Sequence, residues 1–424
     1  DGMGVFVHLS KRPSGLGTKA VEGQAHLQLA EAPPTDADIQ VFALRMVYIP
    51  RMPFWLGNPQ TNVAGSFYDA GYRNKDNTAY WLDSEDKIEV TRHFPKDPDG
   101  GKKALHYASP SYDKDRYGDQ EGPIPAEFPK GYQAFYIMRS KVTQGQYADF
   151  INTLRGDERT LRFPYAMGSY RYTIRMDRNN FRIAMRPRRA CNYLSWSDAT
   201  AYAAWAGLRP MTELEFEKAC VHVDDPVSRK YAWGTNEIYP AQVIQDRGGM
   251  QTVIGNCNTG NRFVEFDGGD GGKGPVRDDA FALPGTLEES FHGFGTLLEA
   301  ESFGGTYLGA LGMSGNLWEL CVTVGHKAGR DFSGKHGQGY LTRGNTPQSL
   351  GWPSHGGFGF RGGTWYTESD SCRVASRMHA IGVRGDYVYR SHDVGFRAVR
   401  TAPLSEQHEV RELPDFRTLE GPLS

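Results

Sequence analysis

The residues whose types could do chemistry are concentrated in residues 361–400. That stretch contains Cys372, followed directly by Arg373, together with histidines, aspartates and serines. A neighbouring cation lowers the pKa of a thiol, so the pattern is compatible with a reactive cysteine. It is also compatible with a small buried apolar residue, or with a disulfide to Cys321. We favour a structural role for Cys372, as a small buried residue or in a disulfide, over a reactive thiol.

The rest of this stretch has the composition of a recognition surface. Between the Arg-Gly-Gly at 361–363 and the Gly-Phe-Arg at 395–397, no helical or strand period is present. Tyrosine supplies rigid contact area, and small polar residues supply adaptable hydrogen bonds. A binding function is therefore predicted, and the alternative is an ordinary solvated loop. The predicted ligand contacts are Tyr366, Thr367, Glu368, Ser369, Asp370, Ser371, Met378, His379, Ile381, Val383, Asp386, Tyr387, Tyr389, Ser391, His392 and Asp393.

The elements that must position these residues differ between the two halves of the chain. Residues 41–57 predict a strand, a bend at two prolines and a second strand, whereas residues 58–130 predict a long loop region. Residues 134–154 predict a strand and then a helix capped by Thr143. Further helices are predicted at 195–207, capped by Ser197 and ended by Gly207, and at 212–220, with Thr212 and Glu215 as a capping box. Short strands and long loops follow, which indicates an irregular α+β fold.

Bulk composition excludes several classes of function. The formal net charge is −2, no nucleic-acid-binding motif is present, and no apolar run approaches the roughly 20 residues of a membrane helix. The five cysteines include no Cys-x-x-Cys pair, and residues 268–274 lack the ending of a phosphate loop. The first residue, Asp1, is compatible with removal of a signal peptide and hence with secretion or a cell-surface location. The compartment and the oligomeric state stay open.

Several segments resemble the formylglycine-generating-enzyme, or sulfatase-modifying factor, family in the same order along the chain. The resemblance implies a variant C-type-lectin-like fold with little regular secondary structure. It also implies that the motif tryptophans, with Phe216, are core rings and that Arg361 and Arg397 form buried pairs. The matching segments are MVYIPRMPFWLG (46–57), YIMRSKVTQGQYADF (136–150), SWSDATAYAAWAGLRPMTELEFEKA (195–219), GALGMSGNLWEL (309–320), RGGTW (361–365) and DVGFRAVR (393–400).

The resemblance also suggests the division of the chain into domains. Residues 1–40 form an N-terminal extension, residues 41–403 form the family domain, and residues 404–424 form a tail. Inserts are predicted at 58–130 and 283–306, where the loops exceed what a compact domain needs.

The resemblance argues against the chemistry of the family's oxidases. Those enzymes bind Cu(I) with two thiolates five positions apart, because soft thiolates suit that ion. Here the second position is Cys372, but the first is Thr367, whose hydroxyl is a poor Cu(I) ligand. Copper is therefore not expected. The His-x3-His-x-Glu set of the family's iron sulfoxide synthases is also absent from the sequence.

Structural Ca²⁺ is the metal that the resemblance implies. One predicted site uses Asn316 and Glu319 of the GNLWE motif. A second predicted site combines Asn256, or alternatively Asn258, with Asp267 and Asp270. Carboxylate and amide oxygens from adjacent loops are the ligands that Ca²⁺ requires. The alternative is a set of capped turns with solvated acids.

The motifs RGGTW (361–365), CRVASR (372–377) and VGFR (394–397), which we name the frame, also resemble the variable proteins of diversity-generating retroelements, in which codons of surface residues are randomised. Most residues between the frame motifs of 361–397 are typical products of such codons, although Glu368 and Met378 are not. The function predicted is a non-catalytic protein that binds a protein or other macromolecule through residues 366–393, with no nucleic acid involved. The alternative is a divergent cysteine oxidase or other redox enzyme that uses Cys372.

Overall fold

The computed structural model describes most of the chain between residues 40 and 409. Within these ranges, no helix is both long and apolar enough to cross a bilayer. Residues 1–39 and 410–424 and most of the predicted insert at 283–306 lie outside them, so the roles predicted for the extension, the tail and that insert stay predictions. The described ranges are 40–58, 65–70, 79–92, 104–107, 118–221, 231–247, 250–260, 265–267, 273–282, 304–342, 344, 348–349, 351–353, 356–381 and 388–409.

Among the described residues, short strands outnumber helices, in line with the α+β prediction. The strands are β1 (Met46–Ile49), β2 (Phe54–Leu56), β3 (Phe67–Asp69), β4 (Tyr80–Leu82), β5 (Ile88–Thr91), β6 (Leu105–Tyr107), β7 (Gly122–Ile124), β8 (Phe135–Met138), β9 (Ile174–Met176), β10 (Arg182–Ala184), β11 (Arg209–Pro210), β12 (Val243–Arg247), β13 (Met250–Ile254), β14 (Glu265–Asp267), β15 (Phe281–Ala282), β16 (Trp318–Val322), β17 (Phe358–Arg361), β18 (Val394–Gly395) and β19 (Ala398–Thr401). The helices are α1 (Gln144–Thr153), α2 (Gly156–Leu161), α3 (Trp196–Trp205), α4 (Glu213–Ala219) and α5 (Lys327–Arg330).

The central sheet joins the two ends of the described chain. Its order is β1-β8-β19-β11, and all its pairs are antiparallel. In the inner strand β8, Ile137 pairs with Val47 on one side and with Val399 on the other. β-branched and aromatic residues favour such a half-buried pleated surface. The strand predicted at the start of 134–154 and the strand, bend and strand predicted over 41–57 are confirmed by β8, β1 and β2.

Two of the three predicted helix starts are confirmed. Thr143 caps α1, because its hydroxyl accepts from the Gln146 amide at 3.3 Å while the Gln146 side chain accepts from the Thr143 amide at 2.9 Å. Thr212 and Glu215 form the same reciprocal arrangement at α4. Each capping box satisfies two backbone donors that would otherwise lack a partner.

The predicted cap of α3 is wrong by two residues. Ser195, not Ser197, is the N-cap, and its amide donates to the Asp198 carboxylate at 3.0 Å. Ser197 lies inside the first turn and accepts a hydrogen bond from Arg162. Ser195 and Ser197 both stand near the start of the predicted helix. Only Ser195 has an acidic residue, Asp198, three positions later, as a capping box requires. Gly207 follows the helix end with φ +66, a left-handed conformation that favours glycine.

The prediction of a loop region at 58–130 is wrong where five short strands lie in that segment. Strands β3, β5, β6 and β7 form a four-stranded sheet, and β4 pairs with β2. These strands contain three or four residues each, too short to show a period of two in the sequence. Polar residues separate them in the sequence, so the composition of the segment concealed its strands.

A second sheet anchors both ends of the segment that the sequence marks as functional. Strand β16 lies between β17, antiparallel to it, and β18, parallel to it. Glu319 therefore pairs with Arg361 on one side and with Gly395 on the other. The chain leaves this sheet at Arg361 and returns to it at Val394. Within this interval, we name residues 366–393 the display segment.

Rings and arginine pairs fill the core around these sheets, as predicted. Trp196 stacks on Phe358 at 4.6 Å, and Trp365 is fully buried, whereas Trp205 is only partly buried. Arg397 forms a bidentate pair with Glu319 at 2.6 and 3.0 Å. Arg361 donates to two carboxylates of α4, one of them Glu213 at 3.0 Å. The planar guanidinium fork suits both arrangements, because each buried charge gains a directional partner.

Candidate functional site

The display segment presents some predicted ligand contacts to solvent and buries others. Tyr366, Glu368, Asp370, Met378 and Tyr389 are exposed, and Thr367, Ser369, Ser371, His379 and His392 are half-buried. Ile381, Ser391 and Asp393 are buried. Val383, Asp386 and Tyr387 lie outside the described residues. The three buried residues do not lie on the surface at which the sequence placed them.

The buried residues of the segment fasten it to the frame. Ser391 donates its hydroxyl proton to the Asp393 carboxylate, and its carbonyl accepts from the Tyr193 amide at 2.9 Å. The Asp393 carbonyl accepts from the Trp318 amide at 2.9 Å, which ties the segment to β16. Serine and aspartate are common in recognition loops but also in turns, so composition alone could not separate the two roles.

An aromatic cluster occupies the surface above this frame. Trp365 is its buried floor, and its ring lies 5.5 Å from Tyr366 and 5.3 Å from His392. Tyr170 stacks on His392 at 4.2 Å. Tyr366 is 47% exposed and Tyr170 42% exposed, so both rings are half available to a ligand. We name Tyr170, Trp365, Tyr366 and His392 the aromatic cluster.

Tyr170 was missed by the sequence analysis. It belongs to a turn that precedes β9, far from the display segment along the chain, and it has a positive φ of 45°. The side chain of Asn192 holds the two segments together, because its amide donates to the Tyr170 carbonyl at 2.9 Å and to the His392 carbonyl at 3.0 Å. The Tyr-rich run 170–172 is the only hint of this role in the sequence.

An ion pair holds the C-terminal part of the display segment against α3. Arg390 donates to both carboxylate oxygens of Asp198, at 2.7 and 2.8 Å, and to the Leu161 carbonyl at 2.6 Å. Burial opposes the charge on Arg390, but the Asp198 carboxylate outweighs it, so the pKa of Arg390 is raised. Asp198 also accepts from Ser195 at the helix cap. The same acid therefore starts a helix and positions the surface loop.

Two thiols meet beneath the surface. Cys372 and Cys257 are fully buried in one cluster with Tyr231 and Trp233. Hydrogen bonds lower the pKa of Cys372, the largest contribution coming from the Cys257 thiol and others from the hydroxyls of Thr259 and Thr367. Burial raises the pKa of Cys257, and its hydrogen bond to Cys372 raises that pKa further. The Cys257 thiol also donates to the Ser314 carbonyl at 3.2 Å. The pKa values of the two neighbouring thiols are therefore shifted in opposite directions.

The predicted partners of Cys372 need correction. The cysteines are free thiols, so the disulfide with Cys321 that the sequence allowed is absent. Cys321 lies on β16 opposite Gly359. Thr367 occupies the position predicted for it beside Cys372, but the second thiol comes from Cys257, more than a hundred residues earlier in the chain. No spacing rule connects cysteines that far apart, so only the fold reveals the pair.

The first predicted calcium site does not fit a metal ion, because an ammonium group already lies among its oxygens. Lys141 Nζ donates to the Gly312 carbonyl and lies 3.5 Å from the Asp278 and Glu319 carboxylates, with all three side chains buried. Arg397 holds the Glu319 carboxylate as well. The Asn316 amide oxygen accepts from Asn258 at 3.0 Å and from Val276 at 2.9 Å. These contacts leave the predicted ligands no free oxygen positions for Ca²⁺.

The second predicted calcium site is only partly described. The Asn256 amide oxygen accepts from the Tyr239 amide at 2.8 Å, and Asp267 ends β14. Asp270 lies outside the described residues. Among the residues that are described, no group of three or more His, Cys, Asp or Glu side chains is arranged to hold a metal ion. The Asn256, Asp267 and Asp270 site stays a prediction.

Comparisons with known proteins point to one family. A family model described as a sulfatase-modifying factor enzyme 1-like domain matches residues 100–402. A formylglycine-generating enzyme of Thermomonospora curvata is 33% identical over 142 residues, which is 33% of this chain and 35% of that protein. A hercynine oxygenase of Mycobacterium tuberculosis is 46% identical over 61 residues, 14% of this chain and 13% of that protein. The chain thus aligns with about a third or less of the length of these relatives.

One solved structure aligns with nearly the whole chain. The Treponema denticola variable protein 1 structure aligns with 87% of this chain and 100% of its own, with 12% sequence identity and a TM-score of 0.38.

Proposed function

The chain belongs to the sulfatase-modifying factor enzyme 1-like family, and for this member we propose a non-catalytic function: binding a protein or other macromolecule through the display segment. The α+β, C-type-lectin-like fold expected from its motifs is confirmed by that membership. The observation that carries the proposal is the aromatic cluster, in which the exposed rings of Tyr366 and Tyr170 rest on a buried floor. Large rings at a surface lower the solubility of a protein, and they are typical of binding sites.

The geometry supports recognition in three ways. Tyr366 and His392 contact the buried Trp365 ring, so a ligand meets rings that are already ordered and the entropy cost of binding is small. Glu368 and Asp370 are exposed on the same segment and add acceptors for hydrogen bonds. The segment is fastened at β16 and by the Arg390–Asp198 pair, which is the general arrangement of a loop displayed on a rigid scaffold.

A display-library selection tests this proposal. Peptides selected for binding to the folded protein should favour the aromatic cluster, because exposed rings packed on a buried ring are typical of binding hot spots. Tyr366→Ala and Tyr170→Ala should each weaken most selected peptides by about ten-fold or more, since central ring truncations cost about 1–2 kcal/mol or more. Tyr340→Ala is the matched control, because Tyr340 is similarly exposed elsewhere on the surface. Peptides that respond equally to all three substitutions would contradict the proposal.

The thiol pair favours a second candidate function. The neighbouring sulfurs of Cys372 and Cys257 resemble the soft, two-sulfur environment that suits Cu(I), with Cys257 in place of the missing first family cysteine. On this hypothesis the chain would be a divergent redox protein. Burial of both thiols and the hydroxyl of Thr367 weigh against it, which is why it is second.

Competitive Cu(I) titration separates the two candidates. A redox site predicts one tightly bound Cu(I) per chain that is lost in both Cys372→Ser and Cys257→Ser and retained in Cys220→Ser, a buried cysteine in another part of the core. Absence of tight Cu(I) binding in the unmodified protein, with its thiols kept reduced, would remove the redox candidate and leave the binding function.

A further inference from the structure

A two-stranded ribbon follows the turn that contains Tyr170 and precedes helix α3 in the chain. Strands β9 and β10 are its arms, with Arg175 opposite Ile183 and Met176 opposite Arg182. Most side chains from 173 to 188 are exposed, and only Ile174 and Arg182 are buried. The ribbon rests on α1 through Asn152, whose side chain bonds to both the amide and the carbonyl of Arg182.

Along β10 and its flanking residues, the polar side chain points into the protein and the apolar side chains point to solvent, which is the reverse of the usual pattern. Arg182 turns inward, where its guanidinium lies 4.7 Å from the Phe163 ring and donates to the Asn180 carbonyl at 2.6 Å. Phe181, Ile183 and Met185 turn outward and are 51, 41 and 46% exposed. A strand with one solvated face normally places its polar residues on that face. An exposed apolar row with a buried arginine beneath it indicates a surface made for contact.

Positive charge surrounds this apolar row. Residues 171–189 contain seven arginines and a single acid, Asp177, in a chain whose formal net charge is −2. Arg175 and Arg178 are exposed, and Arg175 shares the face of Ile183. Asp177 is turned into the tip, where its carboxylate accepts from the Asn179 and Phe181 amides. Arg188, at the base, is paired with Asp279 at 2.6 Å. The exposed charges of Arg175 and Arg178 are therefore positive and lie beside the apolar row.

We propose that this ribbon docks the protein on an anionic lipid surface. Phe181, Ile183 and Met185 would enter the headgroup region while Arg175 and Arg178 contact lipid phosphates. This inference is independent of the binding function proposed for the display segment.

The side chains of the exposed face favour lipid over an acidic protein as the occupant. The other face of the ribbon is buried at Ile174 and Arg182, so only the face with Ile183 and Arg175 is open along its length. Three residue pairs offer a protein partner little area, whereas specific protein interfaces bury about 800 Å² on each side. A bilayer interface is fluid and accepts a small apolar row with basic groups at the phosphates.

Vesicle flotation of the full chain tests the proposal. The protein should float with phosphatidylcholine vesicles that contain about one quarter phosphatidylglycerol, and not with phosphatidylcholine alone, because each basic residue near an anionic surface gives about a five-fold gain in partitioning. Raised salt should weaken the binding. Arg175→Glu with Arg178→Glu should lower partitioning by at least about 25-fold, and Phe181→Ser with Ile183→Ser by about ten-fold.

Matched variants control for charge and for folding. Lys327→Glu with Lys335→Glu makes the same charge change at exposed sites outside the ribbon and should alter partitioning by less than about two-fold. Arg175→Gln with Arg178→Gln should give an intermediate loss at an unchanged melting temperature. The proposal is overturned if the unmodified protein does not float with the anionic vesicles, or if the lysine pair lowers partitioning as much as the arginine pair. Binding to soluble polyglutamate without binding to vesicles would overturn it in favour of an acidic protein partner.

Discussion

At the scale of single residues, Lys141 occupies the first of the two predicted calcium sites. Its ammonium group lies among the Gly312 carbonyl and the Asp278 and Glu319 carboxylates, an oxygen-rich environment of the kind that a hard cation occupies. Removing one partner of a buried ion pair leaves the other charges uncompensated in a low-dielectric interior. The lysine is therefore expected to be essential for the stability of the frame beneath the display segment.

Lys141→Met tests this role. The substitution keeps the length of the side chain and removes the charge, so the free energy of unfolding should fall by about 3–5 kcal/mol. Added Ca²⁺ should raise the melting temperature of the variant, because the vacated oxygens can then bind a cation. Lys327→Met, at an exposed position, should change stability by less than about 0.5 kcal/mol. A Lys141→Met protein as stable as the unmodified one would show that the ammonium is dispensable.

The remaining predicted calcium site can be tested in the same way on the unmodified protein. If Asn256, Asp267 and Asp270 bind Ca²⁺, a chelator should lower the melting temperature of the unmodified chain, in which Lys141 occupies the other site. An unchanged melting temperature together with no metal by elemental analysis would refute the prediction.

At the scale of elements, a half-buried histidine, His336, couples a loop to the central sheet and makes that contact sensitive to pH. His336 Nε2 accepts from the Thr401 amide of β19 at 3.0 Å. Burial lowers the pKa of His336 to about 3, with repulsion from Arg209 and Arg400 as a further cause. The folded state therefore contains neutral His336, which the Thr401 hydrogen bond also requires, since protonated imidazole has no acceptor nitrogen.

His336 should make the protein less stable in acid. In the unfolded chain this histidine is protonated below about pH 6.5, whereas in the folded chain it is protonated only near pH 3. The contribution of His336 to the free energy of unfolding is therefore complete above pH 6.5 and is lost as the pH falls from 6.5 towards 3. The slope is at most about 1.4 kcal/mol per pH unit. His336→Gln keeps an acceptor for Thr401 and removes the titration. The stability difference between variant and parent, measured by urea unfolding at neutral pH and at pH 5, should therefore shift in favour of the variant in acid.

His408→Gln is the control for this experiment. His408 is exposed and lies outside the contact between His336 and Thr401, so this variant controls for the loss of a histidine as such. Equal pH slopes for the parent and His336→Gln would mean that His336 does not titrate differently in the two states.

At the scale of the whole molecule, the frame and the display segment have separable roles. Strand β16 holds both ends of the segment, and buried arginine pairs stabilise the sheet below it. Side chains that face solvent above such a frame can change with little effect on folding, because exposed substitutions typically cost less than about 0.5 kcal/mol. The structure thus sets which positions a diversifying mechanism could alter.

Sequencing the coding locus from many isolates tests whether the segment is diversified. If a retroelement randomises it, variation should fall on exposed or half-buried positions such as Tyr366, Tyr389 and His392 and spare the buried Ser391 and Asp393. A reverse transcriptase gene beside a near-copy of the segment, differing at adenines, should accompany that pattern. Uniform conservation of the segment across isolates, or variation spread equally over buried and exposed positions, would refute diversification and leave a fixed binding surface.

Local sequence was sufficient to predict the parts of this protein that depend on near neighbours. The capping boxes at Thr143 and Thr212 follow from residues three positions apart, and the ordered motifs identified the family and the fold. The absence of a paired family cysteine at Thr367 was also visible in the sequence. These features are local because backbone hydrogen bonds and motif spacings act over a few residues.

Only the tertiary structure decided which side chains meet across long separations. Tyr170 and His392 stack, Cys257 and Cys372 lie in one buried cluster, and Lys141 lies between the carboxylates of Asp278 and Glu319. Tertiary burial also separated Ser391 and Asp393, which hold the frame, from Tyr366, which faces solvent. The physical reason is that burial, charge pairing and ring stacking depend on distance in space, and in a fold with short strands and long loops that distance is set by how distant segments pack.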